Sequence, residues 1–351
     1  MTTLGNELLV DICRLCGNER DNRLHHAREM FTGTRVPFTY VECAACGTLQ
    51  IRDVPDLRPY YSGDYYSFNP VPDPRQDSEV GFKKRLARLA AAAVRRRAAA
   101  YYCDRRLPFG EIRHPAGRLF ATYMRRLVVG FPDYLKETNL PLGLGLKSAV
   151  LDVGSGAGAT LLSLSHFGFR DLTGIDPFIE SSIVYPNGTR VLKAELSELD
   201  RQFDLILANH SIEHVPDPRR TLREIHRLLK PGRYSVVRVP VVGRAWREYR
   251  VNWVQLDPPR HLFLFHARTF KVLAEEEGFS VDEVAYDSTA FQFWGSEQYA
   301  RDIPLSDSRS YFLNPARSPF TEEQIADFAA RAAALNARGE GDQAVFYLRR
   351  L

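Results

Sequence analysis

The chain has 351 residues, 44% hydrophobic and 26% charged, which is enough for roughly two to three domains of about 150 residues and too apolar for a disordered tail. No stretch approaches the ~20 consecutive apolar residues of a membrane helix, and residues 1–10 carry Asn6 and Glu7 but no Lys or Arg, unlike a secretory signal, so the expected compartment is the cytoplasm. The formal charge of +4 selects no partner by itself, yet it is unevenly spread: 83–126 holds thirteen basic and two acidic residues, +11 against −7 for the remainder.

Four of the five cysteines form two pairs, Cys13-x-x-Cys16 and Cys43-x-x-Cys46, 26 residues apart, while Cys103 stands alone. Such a turn lets two sulfurs face one ion, and two turns complete the tetrahedral four-thiolate site that zinc prefers. Gly17 and Gly47 follow the pairs, as tight knuckles require. With β-rich runs at 38–41 and 48–51, residues 1–79 read as a zinc ribbon and a tyrosine-rich linker. Four thiolates leave no open position, so the ion is structural; the alternatives are two disulfides or an unmetallated redox motif.

The tyrosine-rich run 60–68, including Tyr65, is a candidate to reach an acceptor pocket, and the proline-rich 70–74 closes the module. Residues 80–145 form a basic helical segment. Within 83–100, Phe82, Leu86, Leu89, Ala90, Ala93 and Val94 fall on one helical face with Arg and Lys opposite. Such a helix can lie peripherally on an anionic membrane, bind a polyanionic substrate, or be a solvated face packed on the next domain.

From 148 an apolar strand runs into a glycine-rich turn, Asp152, Gly154, Ser155, Gly156 and Gly158, followed by a helix pattern. Glycines let backbone approach a ligand at the carboxyl end of the first strand of an open α/β sheet. Asp176 ends the next strand, 20 residues past Gly156, where a carboxylate can bind both ribose hydroxyls of an adenosine. That suits a nicotinamide dinucleotide as well as S-adenosylmethionine, but Asp152 favours a ligand with an ammonium group over a pyrophosphate. Here the chain resembles the class I S-adenosylmethionine-dependent methyltransferases, through 152–158, 174–176, 203–209 and the run Leu228 to Gly232. The resemblance covers about 148–286. It implies a Rossmann-like α/β fold for 146–351, with a seven-stranded sheet whose last strand is antiparallel and acceptor-side insertions near 241–270 and 288–335. It also implies that the glycine turn holds the methionine end, Asp176 the ribose, Glu195 the adenine, and Asn209 the sulfonium.

The strand 203–208 ends at Asn209, His210, Ser211, Ile212, Glu213 and His214, where an open sheet places its crevice. A hydroxyl acceptor must lose its proton during attack on a methyl, so His214 is the first candidate for the base, with His261, Glu213 and His210 as further catalytic candidates. Related methyltransferases carry a similar Glu-His here; the alternative is a histidine capping or packing under the next helix. A second cluster supplies Trp253, Asp257 and Arg260 as candidate substrate-binding groups, or a structural turn buttressed by Arg260, and 291–299 continues the aromatic theme as a candidate lid.

The ribbon, the Tyr-rich run and the Asp257 to His261 segment together look like methyltransferases of bacterial surface-polysaccharide and sugar modification. Their sugar C-methylating relatives also carry an amino-terminal zinc module, but the residues after Tyr286 are not expected to form the second large α/β domain of those relatives, which points away from C-methylation. The expectation is methyl transfer from S-adenosylmethionine to a sugar hydroxyl of a nucleotide sugar or glycan. The rivals are a zinc-ribbon RNA methyltransferase, disfavoured because Asn209 to Ile212 is not the adenine N-methylation motif, and a non-catalytic S-adenosylmethionine sensor.

Overall fold

The computed structural model describes residues 11–61, 67–68, 82–103, 118–119, 122–123, 128–138 and 140–351, with side chains described from 86 onward in the first helix. Tyr65 and the linker 70–74 lie outside the described residues. Among those described, no helix is long and apolar enough to cross a membrane.

Two sheets organise the chain. The smaller is antiparallel, in the order β1 (Arg23–Arg28), β2 (Pro37–Glu42), β3 (Leu49–Ile51) and β10 (Phe263–Leu264). Its last strand comes from the region expected to be an acceptor-side insertion, so the cysteine module and that insertion share one sheet.

The larger sheet contains β4 (Ala149–Val153), β5 (Asp171–Ile175), β6 (Ile183–Val184), β7 (Arg190–Leu192), β8 (Phe203–Asn209), β9 (Leu229–Pro240), β11 (Phe279–Tyr286) and β12 (Gln343–Arg350). Their order is β11-β12-β9-β8-β4-β5-β7-β6, with β12 antiparallel to both neighbours. The seven expected strands are present with the last one reversed; the eighth, β6, is a two-residue edge strand antiparallel to β7. The run Leu228 to Gly232 is not a simple helix-to-strand turn. Leu229 already pairs with Phe203, and 230–233 bulge out before Tyr234 pairs with Leu205, with Gly232 at φ +70°.

Side-chain alternation divides this sheet between two cores. Val150, Leu205, Leu207, Val236 and Tyr347 point to one face, packed with Ala98, Ala99 and Cys103 of α1 (Phe82–Cys103), Phe131, Leu135 of α2 (Asp133–Glu137) and Leu161 of α3 (Ala159–His166). Leu151, Val153, Ile206, Ala208 and Val237 point to the other, against α4 (Pro218–Leu228) and α6 (Ala267–Glu276). Tyr40, Leu49, Ile51, Cys13 and Cys43 belong to that second core. The amino-terminal module is therefore packed as part of the main body.

Two expectations change. The apolar stripe of α1 is buried only from Val94 onward, where alanines let the helix approach closely; Leu86, Leu89 and Ala90 are exposed. The aromatic run at 291–299 is the helix α7 (Phe291–Ala300), whose Phe293, Trp294 and Tyr299 form a third core with Phe328 and Leu335 of α8 (Glu322–Ala337). Only Phe291 of that run reaches the cavity described below, so the segment is a buried wall and not a lid.

Candidate functional site

The carboxyl ends of β4, β5 and β8 open into a cavity of about 550 Å³, within the range of small-molecule sites. One flank is the glycine turn. Gly154, Gly156 and Gly158 have φ of +69°, +52° and +86°, a region side-chain-bearing residues rarely adopt. A Cβ on Gly156 would lie 2.3 Å from the Ser67 carbonyl oxygen, which accepts the Ala157 N–H at 2.8 Å. The turn is thus folded tightly, with Gly154 N–H donating to the Ile175 carbonyl at 2.9 Å. Gly158 caps α3, and the Ser155 hydroxyl donates to its neighbour Gly156.

Asp176 accepts from the Gly156 and Phe178 amides, both at 2.9 Å, so it ties the second strand to the turn. Asp152 is buried beneath, and burial with the charge of Asp176 pushes its carboxyl up to about 7. Asn209 donates to Tyr134 Oη at 3.0 Å while its Oδ1 is buried with no partner. A buried carboxylate held away from its ordinary range, an orphaned amide oxygen and a side-chain-free turn together fit a zwitterionic adenosyl ligand. Glu195 does not join them. It is exposed and its carboxylate caps a short helix turn, accepting from the Glu198 amide in a capping box.

The other flank carries the histidines. His210, in a left-handed conformation at φ +49°, receives the Arg238 guanidinium on Nε2 at 3.2 Å, which leaves its Nδ1–H to donate to Glu213 Oε1 at 3.1 Å. Glu213 is fully buried. Burial opposes its ionisation, but the hydrogen bond from His210 helps hold the carboxyl below its ordinary range.

His214 and His261 face each other with ring centroids 4.8 Å apart. A carbonyl can only accept, so His214 Nδ1–H donates to Arg260 O at 2.8 Å and His261 Nδ1–H to Gln255 O at 2.6 Å. Burial pushes His214 down to about 4, keeping it neutral. With Nδ1 so engaged in both rings, Nε2 is the nitrogen left to meet a ligand. Tyr61 completes this wall, 3.0 Å from His214 Nδ1 and stacked on Phe178 at 4.6 Å.

Asp257 and His261 line the cavity; Trp253 and Arg260 do not. Trp253 is fully buried and its indole donates to Asp342 at 2.9 Å. Arg260 is fully buried, paired with Asp257 and laid over the Phe31 ring at 4.0 Å. It acts from behind the cavity: its carbonyl orients His214 and its guanidinium holds Asp257. Of the tyrosine-rich run 60–68, Tyr61 and Phe68 line the cavity, whereas sequence reasoning missed Phe178, Tyr134, Arg238 and Gln343, which come from distant segments and carry no local signature.

The four paired cysteines converge. Sγ of Cys13 and Cys46 are 3.7 Å apart and those of Cys16 and Cys43 3.6 Å, all four within 4.8 Å of one another. A tetrahedron of about 2.3 Å metal–sulfur bonds has edges of about 3.8 Å, so the donor set fits a four-thiolate ion. The two knuckles match: Gly17 and Gly47 amides return to the Cys13 and Cys43 carbonyls at 2.8 and 2.9 Å.

A family model described as a methyltransferase domain matches residues 94–284. A ubiquinone biosynthesis O-methyltransferase of Pseudomonas paraeruginosa is 34% identical over 94 residues, 24% of this chain and 40% of that protein. Cycloartenol-C-24-methyltransferase 1 of Oryza sativa is 29% identical over 141 residues, 37% of this chain and 40% of that protein. The chain thus spans about 40% of the length of these curated relatives. A solved SAM-dependent methyltransferase of Thermotoga maritima is 22% identical, covering 67% of this chain and 97% of that one, with a TM-score of 0.37.

Proposed function

The chain belongs to the methyltransferase domain family, and from that premise we propose that it moves the methyl of S-adenosylmethionine to a hydroxyl oxygen of a sugar, carried by a nucleotide or a glycan. The observation that carries this reading is the pair of facing imidazoles, His214 and His261, which line the same cavity as Gly154 and Asp176 and whose Nδ1–H groups are spent on backbone carbonyls.

The donor supplies an activated methyl on sulfur, so the chain's contribution is placement and proton handling. The glycine turn and Asp152 hold the methionine end, with the carboxylate of Asp152 answering the ammonium. Asp176 binds the ribose hydroxyls and Asn209 Oδ1 borders the sulfonium. The acceptor hydroxyl donates its hydrogen bond to an Nε2 lone pair of the facing imidazoles, which takes the proton as the oxygen attacks. Asp257, Arg238 and Gln343 provide charge and amide groups, and Tyr61 and Phe178 provide ring faces, a mixture that suits a polyhydroxylated ring. Cys13, Cys16, Cys43 and Cys46 hold a structural zinc, supported by their edge lengths.

The test is transfer of labelled methyl from S-adenosylmethionine into cell lysate separated into nucleotide-sugar, glycan, RNA, protein and lipid fractions. Label in nucleotide sugars or glycans is expected. Label confined to ribonuclease-sensitive material would refute the sugar acceptor, and donor binding with no labelled fraction would favour a sensor.

A further inference from the structure

We propose that Glu213, His214 and His261 form a binding site for a divalent transition-metal ion, separate from the four cysteines and opening onto the acceptor side of the cavity. One ligand atom from each of the three lies within 4.8 Å of the others, and Glu213 Oε1 is 4.0 Å from His261 Nε2. Donors held about 2.0–2.2 Å from one ion sit roughly 3–4.4 Å apart, so small side-chain adjustments close the set.

Each donor is prepared for an ion. Glu213 is fully buried, yet its Oε2 has no hydrogen-bond partner, and buried carboxylates are satisfied by pairing or by metals. His210 occupies only Oε1. Both imidazoles spend Nδ1–H on backbone carbonyls, the outer-shell arrangement that orients a metal-bound histidine and leaves Nε2 to ligate. Asp257, 3.9 Å from His261 Nε2, is already paired with Arg260 and stays outside the set. Two imidazoles and one carboxylate suit manganese, iron, cobalt or zinc over magnesium or calcium, and three protein ligands leave positions for an acceptor oxygen.

The catalytic use of this site rests on the oxygen-acceptor reading above, while the binding itself does not. A hydroxyl bound to the ion loses its proton to water more readily. The oxygen–carbon bond then forms as the carbon–sulfur bond breaks, and that bond's electron pair stays on sulfur. With the ion bound, the Nε2 lone pairs hold it and water takes the proton; without the ion an Nε2 takes the proton directly, as above.

The test uses the full chain with its cysteine site already loaded with zinc, titrated with Mn2+ alone and read by the loss of the free-ion electron paramagnetic resonance signal. One Mn2+ per chain is expected, with affinity reduced about tenfold or more in Glu213→Gln and in His261→Asn. Donor binding, retained in each variant, reports that it is folded; if Glu213→Gln fails that check, His261→Asn decides. No bound Mn2+, or equal binding in a folded variant, overturns the site. Methyl transfer to oxygen at the same rate with and without bound Mn2+ overturns its catalytic use. Intact Mn2+ binding with methylation only at nitrogen or carbon would instead sink the acceptor reading and leave the site standing.

Discussion

Replacing Asp152 by Asn should stabilise the donor-free protein while weakening its grip on the donor. Burial and the neighbouring Asp176 raise the Asp152 carboxyl from 3.8 to about 7. At about 1.4 kcal/mol per unit the charged form costs the folded state about 4 kcal/mol. The folded state binds this proton more tightly than the unfolded one, so stability falls as pH rises from 3.8 and levels off above 7. Asn carries no such penalty. In urea unfolding without donor, the variant should gain about 2 kcal/mol at pH 5 and about 4 kcal/mol at pH 8 relative to the parent. Calorimetric titration with S-adenosylmethionine should show the opposite ordering, with the variant about 10- to 100-fold weaker at pH 8 for loss of a charge-assisted contact worth about 1.5–3 kcal/mol. Parent affinity should fall as pH drops below 7 and variant affinity should not follow it. A stability difference that does not change between pH 5 and pH 8, or the same pH slope of affinity in both proteins, would refute the assignment of a buried, reluctantly ionised carboxylate beneath the turn.

Asp176→Ala removes the acceptor for the Gly156 and Phe178 amides as well as the proposed ribose contact, so donor affinity should drop at least about tenfold; unchanged calorimetric affinity would remove Asp176 from the site. His214→Gln should lower turnover about 100-fold or more with donor affinity within about twofold of the parent, and full turnover in a single-turnover assay would end its role. Cys43→Ser should abolish zinc retention, because the ion's binding energy is folding energy for such a module; full zinc content by elemental analysis with an unchanged melting temperature would contradict the four-thiolate site.

The parallel sheet was legible because its strands are short apolar runs bounded by turn residues, and the glycine turn because three left-handed residues at alternate positions demand glycine. The cysteine pairs were legible for the same reason, their spacing being the geometry. Glu195 misled because the Glu195 to Glu198 interval is also a capping box, and local backbone satisfaction won. Trp253 and Arg260 misled because a polar, aromatic string looks the same whether it faces a ligand or holds a turn. Only the fold shows that Trp253 donates to Asp342, 89 positions away. The lid reading of 291–299 failed in a similar way, since α8 supplies the apolar partners that bury it. Arg238 and Gln343 were invisible as site residues because each is single, and only strand order brings Arg238 to His210 and Gln343 to the cavity.

The pairing of β3 with β10 changes what the cysteine module is. Tyr40 on β2 donates to the His261 carbonyl at 2.8 Å, and Trp246 donates to Glu42 at 3.1 Å, so the backbone that aims the acceptor histidine leans on the strand leading into the second knuckle. The module is then less an appended tool than a keystone. Grafting it onto another catalytic body would transplant half a sheet, and trimming it away would leave β10 an unpaired edge and His261 without its brace. The placement of His261 and the packing of the cysteine knuckles are in this way tied to the same few hydrogen bonds, so a change in one should be felt in the other.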